Sequence, residues 1–340
     1  MRQGAARELE SPGGAPEEGV RHRVPAVHDR CLSIRSHLDS RPWNGESDTR
    51  GARRARGRGL MDASRPLRRC LVCGDARARF VLAQTATTVL QCANCGLVFI
   101  DPLPGESELC SLYLDYDVGE SDPPFASELA WTRRSRAPVF REILDELVAH
   151  GARGRLLDVG CSFGLLLSMA KERGFEPCGV DLSLNAVRYA RDRLGLSVHQ
   201  GTLFDARFPD GAFDVVTMVS VLEHVPNPLQ TLDEIFRVLR PGGIFIVQVP
   251  NANFNLLRGR IRPSWFYIGT HLMNFPPRTL AMTLERAGFR GVKLWCGKAD
   301  HPKGWPFRVA KSAFVTAARF VADLCQWYWG PSLVAFAVKP

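Results

Sequence analysis

Leu156-Leu157-Asp158-Val159-Gly160-Cys161-Ser162-Phe163-Gly164 is the stretch that decides how the rest of the chain is read. An apolar run stops at a carboxylate, and a glycine, two small residues, a phenylalanine and a second glycine follow at once. A short apolar run closed in this way reads as a buried strand turning sharply into a helix. The same theme recurs downstream. RLLDVG (155–160), PCGVD (177–181), LSVHQG (196–201), FDVVTMVS (213–220) and GIFIVQVP (243–250) read as five largely apolar strands, with helices near 164–173, 184–194 and 229–239. Alternation of this kind predicts the α/β class: a doubly wound parallel sheet with helices on both faces. GVKLWC (291–296) and SLVAFAV (332–338) add two more strands, whose direction the intervening stretch does not fix.

In such a sheet a ligand lies outside the carboxyl ends of the strands, where a glycine-rich turn lets it approach the backbone. A dinucleotide would want G-x-G-x-x-G, but Gly160, Ser162 and Leu165 occupy those positions, and a pyrophosphate gains nothing from a carboxylate two residues upstream. A cationic ligand does. The ammonium and sulfonium of S-adenosylmethionine are attracted to Asp158, with Gly160 leaving room beside the strand and Ser162 and Gly164 lining the loop. Asp181, 23 residues after Asp158, can accept both ribose hydroxyl hydrogens. Leu182 on one side, with Leu203 and Phe204 on the other, would enclose the adenine, and Thr202 offers a polar contact. Ser220, at the end of the fourth strand, completes the expected cofactor set.

Ahead of this region, Cys70 with Cys73 and Cys92 with Cys95 form two Cys-x2-Cys pairs separated by 18 residues. That spacing fits a four-thiolate Zn2+ site, and each pair is followed by a glycine that lets backbone amides turn toward the thiolates. No position is left open, so the metal is expected to be structural. Without it, a segment of this size has little core of its own. The chain divides into an Arg-rich tail over 1–66, the zinc-binding four-cysteine segment over 67–104, a lid or linker with a helix over 105–152, and the cofactor-binding domain over 153–340. The tail lacks any apolar period and is expected to be disordered. Met61, just before the first ordered-looking segment, raises an overlong start as a reading of the preceding 60 residues.

The net charge of +9 is spread along the chain. Residues 1–60 contribute +4 through 12 Arg against 8 Asp or Glu, leaving +5 and no dense basic block in the other 280. Nucleic acid is therefore not the expected main partner. No stretch approaches the roughly 18 apolar residues needed to span a bilayer, and the N-terminus has no apolar signal core, so a soluble, cytoplasmic protein is expected. The stretch WPFRVAKSAFVTAARFVADLCQWYW (305–329) could lie on a membrane surface, but its apolar spacing fits a core helix linking the last two strands.

LLDVGCSFG, GVDLS, FDVVTMVSVLEHVPNP, VLRPGGIFIVQVPN and HLMNFPPRTLAMTLERAGF, in this order and spacing, resemble the class I S-adenosylmethionine-dependent methyltransferases, in particular bacterial small-molecule enzymes with a zinc-binding cysteine segment in front. The resemblance covers about residues 69–340. It implies a seven-stranded sheet of order 3-2-1-4-5-7-6, with the seventh strand, SLVAFAV, antiparallel. One departure matters. Where the family carries Gly-Thr, this chain has Ser162-Phe163. Serine can still donate to the cofactor carboxylate, whereas an inward Phe163 would fill part of the pocket.

Methyl transfer from a sulfonium needs proximity, orientation and a dry pocket, and needs a base only when the acceptor holds a proton of high pKa. The candidates are Glu223 and His224 after the fourth strand, where the family commonly shows Leu-Glu-His-Val, and His271, near Trp265, Phe266 and Tyr267. Tyr113 and Tyr116 could close over the cofactor, although packing of the zinc segment against the sheet is the favoured role for them. The expected acceptor is an oxygen or carbon of a small metabolite: a sugar, polyketide or lipid-linked precursor. Two rival readings are a non-catalytic binding module with Phe163 in the pocket, and an RNA methyltransferase gripping phosphates through the cysteine knuckles and Arg-rich tail. The fourth strand ends in Ser220-Val221, not the Asn/Asp-Pro-Pro-aromatic of nucleic-acid amino methylation, and no cysteine is placed as a nucleophile for RNA.

Overall fold

A computed structural model describes residues 69–83, 87–105, 109, 123–254, 256, 271–297 and 330–340. The tail 1–66, Tyr113, Tyr116, residues 265–267 and the stretch 305–329 lie outside the described residues, so the expectations placed on them are not addressed by the fold.

The main sheet is built from β4 (Arg155–Val159), β5 (Glu176–Asp181), β6 (Ser197–Gln200), β7 (Phe213–Val219), β8 (Leu239–Pro250), β10 (Arg290–Cys296) and β11 (Ser332–Val338). Their spatial order is β10-β11-β8-β7-β4-β5-β6, with β11 antiparallel to both of its neighbours and β8, β7, β4, β5 and β6 paired in parallel. Counted along the chain from the far edge, this is 3-2-1-4-5-7-6, the order implied by the resemblance. β4 lies at the switch point. The chain leaves it toward β5 and β6, then crosses back to β7 on its other side, which opens a crevice at the carboxyl end of β4.

Strand alternation explains the two faces, because successive side chains point to opposite sides. Leu156, Val215, Ile246, Val334 and Phe336 pack against α1 (Pro123–Ala149), α2 (Leu165–Glu172) and α3 (Leu184–Asp192). Leu157, Val216, Phe245, Val247, Leu333 and Ala335 face the other way, onto α4 (Pro228–Val238) and α5 (Pro277–Arg286) through Leu232, Ile235, Leu280 and Leu284. The helix starts are chemically specified. Ser183 caps α3 by accepting from the Ala186 amide, and Asn227 caps α4 by accepting from that of Gln230.

A second, antiparallel sheet holds β1 (Ala78–Ala83), β2 (Thr88–Cys92), β3 (Val98–Asp101) and β9 (Met273–Asn274). Its last strand comes from far downstream. The cysteine segment is thus stitched to the rest of the chain by main-chain pairing, and its Val72, Leu90, Leu97 and Phe99 share one core with α5. Thr279, in α5, donates a hydrogen bond to the Cys95 carbonyl, fixing the second knuckle on that helix.

Candidate active site

The opening stretch folds as its composition demands. Asp158, in register with Thr217 of β7, is 3% exposed and accepts a hydrogen bond of 2.7 Å from the Thr217 hydroxyl. Burial pushes its pKa up to about 7, the Thr217 hydrogen bond pulls the other way, and the charge of Asp181 adds to the rise. Gly160 has φ 77°, and a Cβ there would stand 2.3 Å from Cγ2 of Val221. The bare Cα therefore accommodates Val221, a second reason for glycine beside the ligand room expected from sequence. At Gly164 a Cβ would meet Leu196 at 2.6 Å, so this glycine serves the packing of the helical layer. Ser162 takes φ 47°, the left-handed conformation in which the family glycine would be unstrained.

Asp181 holds the loop in place. Its Oδ2 accepts from the Ser162 amide at 2.7 Å and its Oδ1 from that of Ser183 at 2.9 Å. Leu182 and Phe204 stand exposed beside it, Leu203 is buried, and the Thr202 hydroxyl donates to Asp205 at 2.7 Å. Phe163 packs edge-on against Tyr189 with ring centres 5.8 Å apart, and touches Ala186 and Leu129. It therefore sits in the helical layer between α1 and α3. Ser220, also left-handed with φ 56°, accepts from the Arg136 guanidinium at 3.0 Å and donates to Gln248 at 2.7 Å. Arg136 and Thr217 escaped the sequence reading, since only tertiary placement brings α1 and the β4–β7 register to this loop.

A pH dependence follows from Asp158. Its folded pKa of about 7 lies above the usual 3.8, so between these values the folded chain keeps a proton that the unfolded chain releases. Its contribution to stability is complete below about pH 4 and is lost as pH rises through about 7. Asp158→Asn removes this slope. Denaturant unfolding is expected to show the variant gaining on the parent between pH 5 and pH 8 by a few kcal/mol, on the order of 1.4 per unit.

Glu223, His224 and His271 come together although 47 positions separate the two histidines. Glu223 and His224 lie in a short 3-10 turn, Leu222–His224, directly after β7. The Leu272 amide donates to the Glu223 carbonyl at 2.8 Å, while the Leu272 carbonyl accepts from the Ile100 amide of β3 at 3.1 Å. The cysteine sheet thereby carries His271 to the turn. The two imidazoles meet edge-on, centres 4.7 Å apart. Glu223 is 1% exposed and neither carboxylate oxygen has a hydrogen-bond partner. Burial pushes its pKa up to about 8, and burial with His224 and Arg136 nearby holds His271 down to about 4.

The four sulfurs of Cys70, Cys73, Cys92 and Cys95 lie within 4.8 Å of one another, and Cys70–Cys95 and Cys73–Cys92 are each 3.5 Å apart. A tetrahedral zinc with bonds of about 2.3 Å places its sulfurs roughly 3.7 Å apart. The donor set fits that metal, and none of the four cysteines is in a disulfide.

Residues 131–294 match the family model described as a methyltransferase domain. A ubiquinone biosynthesis O-methyltransferase of Saccharophagus degradans is 30% identical over 48% of this chain and 75% of its own length. The protein of the same description from Azoarcus sp. is 41% identical over 33% of this chain and 51% of its own. The chain spans about half the length of the first curated relatives it matches, 42% to 62%. Among solved structures, a SAM dependent methyltransferase from Archaeoglobus fulgidus covers 62% of this chain and 99% of its own, at 22% identity and a TM-score of 0.42.

Proposed function

The chain belongs to the class I S-adenosylmethionine-dependent methyltransferases, and on that premise we propose that it methylates an oxygen or carbon of a small metabolite, with oxygen the favoured atom. The observation that carries this reading is the cluster of Glu223, His224 and His271 at the end of β7, one strand away from Asp158 at the end of β4. S-adenosylmethionine supplies an electrophilic methyl group on a sulfonium. Asp158 would face the cationic end of the cofactor, and Asp181 would accept from its ribose. Leu182 and Leu203 would enclose the base. His271, held neutral by its surroundings, would take the hydroxyl proton of the acceptor, with His224 and Glu223 behind it. The O-methyltransferase names of the curated relatives agree with oxygen. Phe163 in the helical layer weighs against the binding-module reading, which needs that ring in the pocket.

Zn2+ is proposed as a structural ion on Cys70, Cys73, Cys92 and Cys95, supporting the turn through β3, β9 and the core they share with it. No helix among the described residues is long and apolar enough to cross a membrane.

Transfer of a labelled methyl group tests the reading across sugar, phenol and enol acceptors. His271→Ala is expected to lower kcat by about 10²–10⁴ while leaving cofactor affinity unchanged. Cofactor binding with no acceptor-dependent release of S-adenosylhomocysteine would refute the enzyme reading. An unaltered kcat in the variant would remove His271 as the base.

A further inference from the structure

Glu223, His224 and His271 offer one carboxylate oxygen and two imidazole nitrogens, all within 4.8 Å of one another. We propose that they form a second, exchangeable site for a divalent transition-metal ion, separate from the four cysteines. Coordination bonds of about 2.0–2.2 Å need donor atoms roughly 3 Å apart, so small side-chain rotations close the sphere. The independent sign is Glu223. Its carboxyl is 1% exposed and both oxygens lack any hydrogen bond, although Asp158, also buried at 3% exposure, has Thr217 as donor. Buried polar groups almost always have partners, and the cost of leaving one without is large. His224 approaches it at 3.9 Å, too far for a hydrogen bond, while a cation between them would give the buried carboxylate a partner.

The donors are preorganised. Glu223 and His224 share a 3-10 turn, and His271 is locked to that turn by the neighbouring Leu272 amide at 2.8 Å. The chemistry of the set selects the ion. Two imidazoles with one carboxylate suit Zn2+, Co2+, Mn2+ or Fe2+, whereas Mg2+ and Ca2+ prefer all-oxygen shells. The Arg136 guanidinium, bonded to Ser220 at 3.0 Å, is the positive charge facing the cluster and opposes a cation there. This makes the ion removable under chelation that leaves four thiolate bonds intact. With three protein ligands, coordination positions remain for an acceptor oxygen, whose hydroxyl the metal would acidify. That last role rests on the methyl-transfer reading above. The site itself does not.

The test uses the full chain, stripped with a mild chelator and titrated with Co2+, with bound metal counted per chain and the visible spectrum recorded. The expected result is one Co2+ with the weak absorption of nitrogen and oxygen ligands. His271→Ala and Glu223→Gln should each reduce affinity at least about tenfold, as loss of even an outer-shell partner does. The four-cysteine metal content stays unchanged in both. Should either variant fail to fold, His224→Gln carries the same comparison. Absence of Co2+ with nitrogen and oxygen ligands in the parent overturns the proposal, as does a Co2+ equivalent that all variants keep. Metal bound without methyl transfer would spare this site and sink the enzymatic reading. Methyl transfer by the metal-free parent would leave His271 as a simple base and sink the metal's catalytic role.

Discussion

Asp181→Ala is expected to weaken S-adenosylmethionine binding by at least about 100-fold, measured by calorimetric titration of the full chain. The carboxylate is proposed to accept two ribose hydroxyl protons, and each hydrogen bond to a charged group contributes about 1.5–3 kcal/mol. Two of them correspond to between about two and four powers of ten in affinity. A further loss comes from the loop. The Ser162 and Ser183 amides donate to the same side chain at 2.7 and 2.9 Å, so alanine also releases Ser162 from its strained left-handed conformation. Asp181→Asn separates the two contributions, because the amide oxygen can still accept from one backbone amide. Its affinity should fall between parent and alanine variant. Equal binding by all three proteins would move the adenosine site away from β5.

The paired substitution Cys70→Ser with Cys95→Ser is expected to unfold the small sheet while sparing cofactor binding. These residues are two of the four proposed zinc ligands, and metal binding in small thiolate sites contributes apparent free energies of about 10–16 kcal/mol to folding. Cys70, Val72, Leu90, Leu97 and Phe99 form one face of the core shared with Leu280 and Leu284, so loss of the knuckles exposes that face. Differential scanning should show a transition lowered by more than about 10 °C, several kcal/mol in a domain of this size. Proteolysis should begin within residues 69–105. Methyl transfer should disappear with it, because Ile100 holds Leu272 and thereby His271. Asp158 and Asp181 lie on strands that make no pairing with β3, so cofactor titration should remain close to that of the parent. Cys178→Ser, in β5 and outside the cluster, is the control. A metal-free parent with an undiminished transition would show that reduced thiols suffice.

The layers of the fold were legible because strand and helix periods are local properties. Apolar runs at 155–160, 177–181, 213–220 and 243–250 each became a strand within a residue or two, apart from Leu239–Gly242, which extend the start of β8. Cys-x2-Cys spacing is equally local, and so is the acid that ends β5. What escaped was non-local. Met273–Asn274 is too short to carry a period, yet it completes the cysteine sheet. Arg136 belongs to a helix far from this loop in sequence, and its hydrogen bond to Ser220 spans 84 positions. Gly160 was legible as a glycine that matters, but the close approach of Val221 appears only once the turn is folded. The convergence of His271 on Glu223 and His224 likewise depends on main-chain pairing that no spacing encodes.

The position of β9 also orders events during synthesis. Residues 69–101 emerge long before β9, and the free edge of β3 meets its partner only when Met273 and Asn274 arrive, about 170 residues later. At translation rates of about 5–20 residues per second, that interval lasts roughly 10–35 s. Over this time Val98 and Phe99, buried in the finished molecule, stand on an open strand edge of the kind that pairs with other chains. The nascent chain therefore passes through a vulnerable stage ended by its own later residues, and the arrival that protects the edge is the same one that delivers His271.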